Sequence, residues 1–165
     1  MFPDKLSTGV FSLRAGRRTA AWSTWAELNE DGSLSDYGMV RSWVKPIYRL
    51  SYDDADELIE LAPPQDSDLA DLEGLLNARR RWRLSQGALQ MDLPEGRIRA
   101  REGLAQIEVT EPSNSRQMVA EAMILAGAVA AQLGQDRGIA LPYRSQLPAE
   151  LPGQAELDAL PDGAV

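Results

Sequence analysis

The chain has 165 residues, 44% of them hydrophobic, which is typical of one folded domain that buries roughly two thirds of its unfolded surface. Its net charge of −8 excludes a uniformly cationic surface, so phosphate binding would come either from locally clustered arginines or from other parts of a larger protein. Cysteine and histidine are both absent. Their absence excludes disulfides, Cys/His zinc sites, thiol nucleophiles and catalytic triads with a histidine base.

The hydropathy pattern predicts a soluble, cytoplasmic protein with no membrane partner. The first residues contain no long apolar run of the kind found in secretory signals. The longest apolar stretch, residues 118–133, is interrupted by Glu121 and Gln132 and is shorter than the roughly 20 residues of a membrane-spanning helix. The lack of cysteine is consistent with a reducing cytoplasm.

A β-hairpin is the first predicted element. Residues Thr19–Leu28 alternate between two faces, residues 29–32 carry turn chemistry ending in Gly32, and alternation resumes over residues 39–44. Pro46 ends the pairing, because proline has no backbone N–H to donate.

Two helices are predicted next. Ser51 is a favourable N-cap with Asp54 in the capping-box position, which predicts a helix over Tyr52–Leu61 that stops before Pro63. A second helix begins near residue 66, places its leucines on one stripe and ends at Gly87.

The remaining pattern completes a mixed fold. Short strands are predicted at residues 88–92, 97–101, 106–110 and 138–143, and the longest helix is predicted at residues 115–133. The predicted class is therefore α+β, with a mixed, mostly antiparallel sheet and about three helices.

Carboxylates and arginines form local groups with two interpretations each. The acidic group at residues 53–57 has the oxygen ligands that Mg²⁺ prefers, but acidic residues in a first helical turn also interact favourably with the helix dipole. We favour the dipole interpretation. The arginine cluster 79–83 either offsets a helix C-terminal dipole, with Trp82 packing, or forms a cationic stripe along a nucleic-acid groove.

Two further side chains are ambiguous from the residues alone. Tyr52 is either a core tyrosine or a surface on which a nucleic-acid base stacks. Glu121 lies in the same helical sector as Asn114, Gln117 and Gln132. This polar sector predicts an exposed glutamate.

Several motifs occur in a fixed order along residues 6–151. The first segment contains Arg41-Ser-Trp-Val-Lys-Pro46 and Leu50-Ser-Tyr-Asp-Asp54. The second contains Val119-x-Glu121-x-Met123-Ile124-x-Ala126 and Tyr143-Arg144-Ser-Gln-x-Pro148. Together they resemble the ribonuclease II (RNB) family of 3′-to-5′ exoribonucleases, and the first motif is most similar to cyanobacterial-type members.

The resemblance implies a fold, a chemistry and four RNA-contacting residues. Residues 1–151 would be a partial RNB catalytic domain, and 152–165 a tail or the start of a further element. Family members hydrolyse single-stranded RNA with magnesium assistance. The resemblance assigns base stacking to Tyr52, an RNA contact near the 3′ end to Glu121, and RNA contacts to Tyr143 and Arg144.

The family pattern also has parts without a counterpart in this sequence. The aspartate cluster that holds magnesium would precede residue 1, and an arginine-containing segment would follow residue 165. Gly127 stands where the family often has asparagine, and Gln146 where it has histidine. We therefore predict no catalytic residue, no metal ligand and no activity for these 165 residues alone, with the remainder of the ribonuclease as a partner.

Two alternatives remain open. One is a non-catalytic RNA- or protein-binding module with a degenerate RNB fold. The other is an acidic interaction protein without an RNA role.

Overall fold

The computed structural model describes residues 2–90, 94–101 and 104–144, together with Gly153, Ala155, Glu156 and Ala159. The α+β class is confirmed, and each of the three predicted helices is present. After a short π-helical turn at Leu6–Val10, the elements are β1 (Thr19–Leu28), β2 (Leu34–Val44), α1 (Tyr52–Leu61), α2 (Ser67–Ser85), β3 (Glu95–Arg101), β4 (Leu104–Thr110) and α3 (Asn114–Asp136).

The strands form two separate antiparallel hairpins, β1–β2 and β3–β4. Among the described residues they do not join into the single mixed sheet that the sequence predicted. Helices α1 and α2 occupy the chain between the two hairpins, and α3 packs against both β1 and β2. The packing partners of the first hairpin are therefore helices and not further strands.

Helix α1 forms as its local sequence dictates. The Ser51 hydroxyl accepts a hydrogen bond from the Asp54 N–H at 3.1 Å, and the Asp54 carboxylate accepts one from the Ser51 N–H at 3.1 Å. The helix ends at Ala62, whose φ of 40° is left-handed, directly before Pro63. The predicted capping box and stop signal are both confirmed.

The turn of the β1–β2 hairpin docks on α2. Gly32 has the predicted positive φ, 86°, and a Cβ there would lie 2.3 Å from the Ala78 carbonyl oxygen. The Arg79 side chain donates to the Gly32 carbonyl oxygen at 3.1 Å. Glycine is thus required here for close approach to a helix backbone as well as for the turn.

The strand predicted at residues 138–143 is wrong. The chain reverses at Gly138, which has a φ of 62°, and returns along α3. A Cβ on Gly134 would lie 2.5 Å from a Leu141 methyl carbon and 2.7 Å from the Tyr143 hydroxyl oxygen. The alternating apolar residues therefore pack on a helix, without a strand partner.

The strand predicted at residues 88–92 is also wrong for residues 88–90, which the structure describes. Residues 88–90 have no regular structure, and residues 91–92 lie outside the described residues. Gly87 has a φ of 90°, which turns the chain away from α2. The Gln90 side chain then contacts Arg80 and Gln117, so this segment bridges two helices.

The core lies where the three helices meet, and α3 is central to it. Ala55, Leu76 and Met118, one from each helix, are buried there, and Val129 is buried further along α3. At 23 residues and mean hydropathy 1.3, α3 meets the length and composition criteria for a membrane span, although the predicted apolar stretch was shorter. It packs against α1, α2 and the β1–β2 hairpin, and a single helix that meets these criteria is weak evidence for a membrane span.

Some predictions fall outside the described residues. These are the domain boundary at residue 151, most of the 152–165 tail, and Gln146 and Pro148 of the last motif.

Candidate functional site

The N-terminus of α3 is joined to α1 by two hydrogen bonds. The Ser115 N–H donates to the Asp56 carboxylate at 2.7 Å, and the Ser115 hydroxyl donates to the Tyr52 carbonyl oxygen at 3.0 Å. Ser113, the N-cap residue of α3, does not cap the helix with its own side chain. Asp56 therefore caps α3 from a different helix and fixes Tyr52 beside it.

The acidic group on α1 is engaged in capping. Partial burial raises the pKa of Asp56, but hydrogen bonds from the Ser115 N–H and the Ser113 and Ser115 hydroxyls, with the charge of Arg116, hold it below the ordinary 3.8. Hydrogen bonds from the Ser51 side chain and N–H likewise lower the pKa of Asp54. Both carboxylates thus accept helix-terminal hydrogen bonds, as the dipole interpretation expects.

Magnesium, which the family resemblance implies, does not fit the residues that the structure describes. No group of three or more Asp or Glu side chains in this part of the chain could hold a metal ion. Two of the carboxylates on α1 already accept N–H groups.

Tyr52 is partly open and is backed by a cation. Its side chain is 39% exposed, and the Arg116 guanidinium carbon lies 4.1 Å from the centre of its ring, a cation–π contact. Sequence reasoning missed Arg116, because nothing local links the first turn of α3 to a tyrosine 64 positions earlier.

Glu121 is buried, so the expectation of an exposed glutamate is wrong. It is 1% exposed. Arg83 of α2 donates hydrogen bonds to both of its carboxylate oxygens, from Nε at 3.0 Å and from Nη2 at 2.5 Å. The Arg83 side chain is 21% exposed, so Arg83 is the open end of this pair. The RNA contact assigned to Glu121 by resemblance stays a prediction.

A chain of amide contacts continues from this pair. The Gln117 amide donates to Glu121 at 3.3 Å, and the Gln90 amide donates to Gln117 at 2.7 Å. Arg80 in turn donates its Nε–H to the Gln90 side chain at 2.6 Å. These contacts connect α2, the segment that follows it and α3 through polar side chains.

The arginine cluster divides between the protein interior and the surface. Arg79 is buried, stacks over Trp82 at 4.1 Å and binds the Gly32 carbonyl. Burial lowers the pKa of its guanidinium, and nearby Arg83 lowers it further. Arg81 is exposed and forms no hydrogen bond or ion pair in the described part of the chain. The packing interpretation therefore describes Arg79, and a surface role is open to Arg81.

Tyr143 and Arg144 lie apart from the other two predicted residues. Tyr143 donates its hydroxyl to the Ala131 carbonyl oxygen at 3.3 Å, and Arg144 is exposed. Ala131 is ten positions after Glu121, about 15 Å along the helix axis. Tyr52 contacts the first turn of α3, and Glu121 lies on the same half of that helix but pairs with Arg83 of α2. Tyr143 contacts the C-terminal half of α3.

Comparison with known proteins identifies the family. A model of the RNB domain matches residues 1–161. The chain belongs to the RNB domain family. An uncharacterized ribonuclease of Synechocystis sp. is 44% identical over 166 residues, covering 100% of this chain and 25% of that protein. The chloroplastic/mitochondrial ribonuclease II of Arabidopsis thaliana is 34% identical, covering 100% of this chain and 21% of the relative.

The RNB chain therefore spans about a quarter or less of the length of these relatives. Its fold matches that of Mycoplasma genitalium RNase R without ligand, with a TM-score of 0.77 and 18% identity over 86% of this chain and 23% of RNase R. A structure of the same RNase R in complex with ribose-methylated single-stranded RNA matches with the same score. At this identity the match establishes the RNB fold.

Proposed function

We propose that this RNB chain forms part of the RNA-binding wall of a cytoplasmic 3′-to-5′ exoribonuclease. It would contact single-stranded RNA through Tyr52, Tyr143 and Arg144, and Glu121 would support this binding through the side chains that it holds. The observation that carries the proposal is the tyrosine platform, meaning Tyr52 with Arg116 stacked on it, which lies half-open where α1 meets α3. RNA complexes of the structurally similar RNase R support RNA as the ligand.

The tyrosine platform suits a base without reading its identity. Every nucleobase has a π-face, and stacking on an aromatic ring is worth about 1–3 kcal/mol per base. Arg116 occupies part of the ring surface and brings a permanent positive charge close to the sugar–phosphate of a stacked nucleotide. A base that stacks on Tyr52 therefore gains both a flat partner and a cation.

Glu121 would act through its buried pair. Because Arg83 and Gln117 already contact its carboxylate, Glu121 would hold these two side chains in position for RNA. Tyr143 and Arg144 would contact a different stretch of the strand, since Tyr143 attaches to the far half of α3. Arg144 suits a phosphate because guanidinium is planar and always charged.

Hydrolysis would require residues beyond those described. The family chemistry uses magnesium to activate water and to stabilise developing charge, and no described group of carboxylates fits the ion. We propose that these 165 residues alone do not degrade RNA and that they act with the remainder of a ribonuclease. The same observation favours the second candidate, a non-catalytic RNA- or protein-binding module with an RNB fold.

The decisive experiment measures binding and cleavage separately. A 5′-labelled single-stranded oligoribonucleotide is titrated with the purified chain, with Tyr52→Ala and with Tyr52→Phe as the matched control. Loss of about 1–3 kcal/mol of stacking should weaken binding by Tyr52→Ala roughly 5- to 150-fold, whereas Tyr52→Phe keeps the ring and should bind like the parent.

Equal binding by all three proteins would refute the stacking role. Stepwise shortening of the RNA by the purified chain in magnesium would refute the prediction that it is inactive alone.

A further inference from the structure

An open groove of about 470 Å³ runs between α2 and the start of α3. It is distinct from the tyrosine platform, which is built from α1 and Arg116. Polar side chains from both helices line it, namely Asn77, Arg80, Arg81, Ser113, Asn114 and Gln117. We call it the α2–α3 groove.

The α2–α3 groove is cationic on a chain whose net charge is −8. Two arginines line it, and no described Asp or Glu does. Arg81 is exposed and has no carboxylate partner among the described residues. An anion is therefore the ligand that suits this groove.

Several of its side chains are held in place before any ligand arrives. Arg80 and Gln117 both contact the Gln90 side chain, at 2.6 and 2.7 Å, and Gln117 also contacts buried Glu121. Fixing these rotamers in advance lowers the entropic cost of binding. The groove thus combines side chains that are already hydrogen-bonded with an exposed cation, Arg81.

We infer that the α2–α3 groove binds a backbone phosphate of single-stranded RNA, with Arg81 as the main contact and the Asn114 amide as a second donor. The inference rests on the proposed function, because the first turn of α3 carries Arg116 of the tyrosine platform as well as Asn114. A strand with one base on Tyr52 would then pass over this turn and enter the groove with its sugar–phosphate.

The test compares two single-charge variants by the salt dependence of RNA binding. Arg81→Gln removes the proposed contact, and Arg137→Gln removes another exposed arginine at the opposite end of α3. Loss of one phosphate contact on a single strand should reduce the slope of log affinity against log salt by about 0.7. We expect that reduction in Arg81→Gln and the parent slope in Arg137→Gln.

A second variant separates binding from folding. Asn114→Asp adds a carboxylate to the first turn of α3, where the helix dipole favours negative charge, so thermal stability should stay equal or rise. RNA binding should nevertheless fall, because the carboxylate repels phosphate. A merely structural role for the groove predicts no such fall.

The outcomes distinguish this inference from the proposed function. Suppose that Tyr52→Ala weakens RNA binding, while Arg81→Gln keeps the parent salt slope and Asn114→Asp keeps the parent affinity. That result overturns the groove and supports the tyrosine platform. If Arg81→Gln reduces the slope of log affinity against log salt while Tyr52→Ala binds RNA as tightly as the parent chain, the tyrosine platform is overturned and the groove is supported. Absence of RNA binding by the parent chain overturns both.

Discussion

The two hairpins share the same antiparallel pairing but differ in their contacts with the helices. The β1–β2 hairpin contacts α3, and its turn is locked to α2 by Gly32 and Arg79. The β3–β4 hairpin pairs in perfect register, yet its substantial contacts in the described part of the chain are within itself. Both hairpins pair their strands, but only β1–β2 is docked, through the close approach at Gly32, buried Arg79 and its contacts with α3, including the hydrogen bond from Tyr37 to Asp136.

The β3–β4 hairpin has an apolar face that is largely exposed. Ile98 pairs with Ile107, and both lie on one face with Val109; Ile98 is 76% exposed and Ile107 74% exposed. Arg99 and Glu108 form an ion pair on the opposite face. A two-stranded hairpin with an uncovered apolar face has little stability of its own, so this region should be the less stable of the two.

The largest expected effect comes from the turn of the docked hairpin. Gly32→Ala forces a side chain into a positive φ and against the Ala78 carbonyl, so we expect a loss of about 3 kcal/mol or more in unfolding free energy. Urea denaturation measures it. Gly96→Ala in β3 is the matched control, since a Cβ there meets nothing within 4 Å. Similar losses in the two variants would remove the claimed difference between the hairpins.

Two arginine–glutamate pairs sharpen the comparison. Arg83→Met leaves the buried Glu121 carboxylate without its cation, and we expect a loss of about 2–4 kcal/mol. Arg99→Met breaks the Arg99–Glu108 pair, whose side chains are 67% and 55% exposed, and should cost about 0–1 kcal/mol. Chemical denaturation of both variants checks this ranking, and a reversed order would contradict it.

Acid should weaken the junction between α1 and α3, where Asp56 caps α3. The folded pKa of Asp56 lies below the ordinary 3.8, so its stabilising contribution is fully present above that value and is lost as pH falls through the folded pKa. Below pH 5, the unfolding free energy should therefore depend less on pH for Asp56→Asn than for the parent chain. Parallel profiles would show that Asp56 does not cap α3 in solution.

The smallest effect is expected on the undocked hairpin. Ile107→Gln replaces an exposed apolar side chain and should change the unfolding free energy by no more than about 0.5 kcal/mol. Thermal melting at two protein concentrations measures it. A loss typical of a core substitution would mean that this face is covered in solution.

Local signals in the sequence were sufficient for several elements. The capping box of Ser51 and Asp54 and the stop at Pro63 lie within a few residues of α1, so both ends of that helix could be predicted. The turn at Gly32 follows the same logic. In contrast, Leu141 and Tyr143 alternate as a strand would, but Gly134 of α3 offers them a surface that no local pattern reveals.

The candidate site depended on contacts between distant positions. Glu121 was expected on a solvated face because helical periodicity describes only its own helix, and its partner Arg83 lies 38 positions away. Arg116 could not be linked to Tyr52 for the same reason. The motifs indicate the candidate residues, and tertiary packing determines which of them are exposed.

The cap that Asp56 supplies to α3 couples the positions of α1 and α3. Because Ser115 binds both the Asp56 carboxylate and the Tyr52 carbonyl, a displacement of the tyrosine backbone strains the first turn of α3. Hydrogen exchange at the Ser115 amide would consequently report events at the aromatic ring, even though that amide touches no part of the ring's surface.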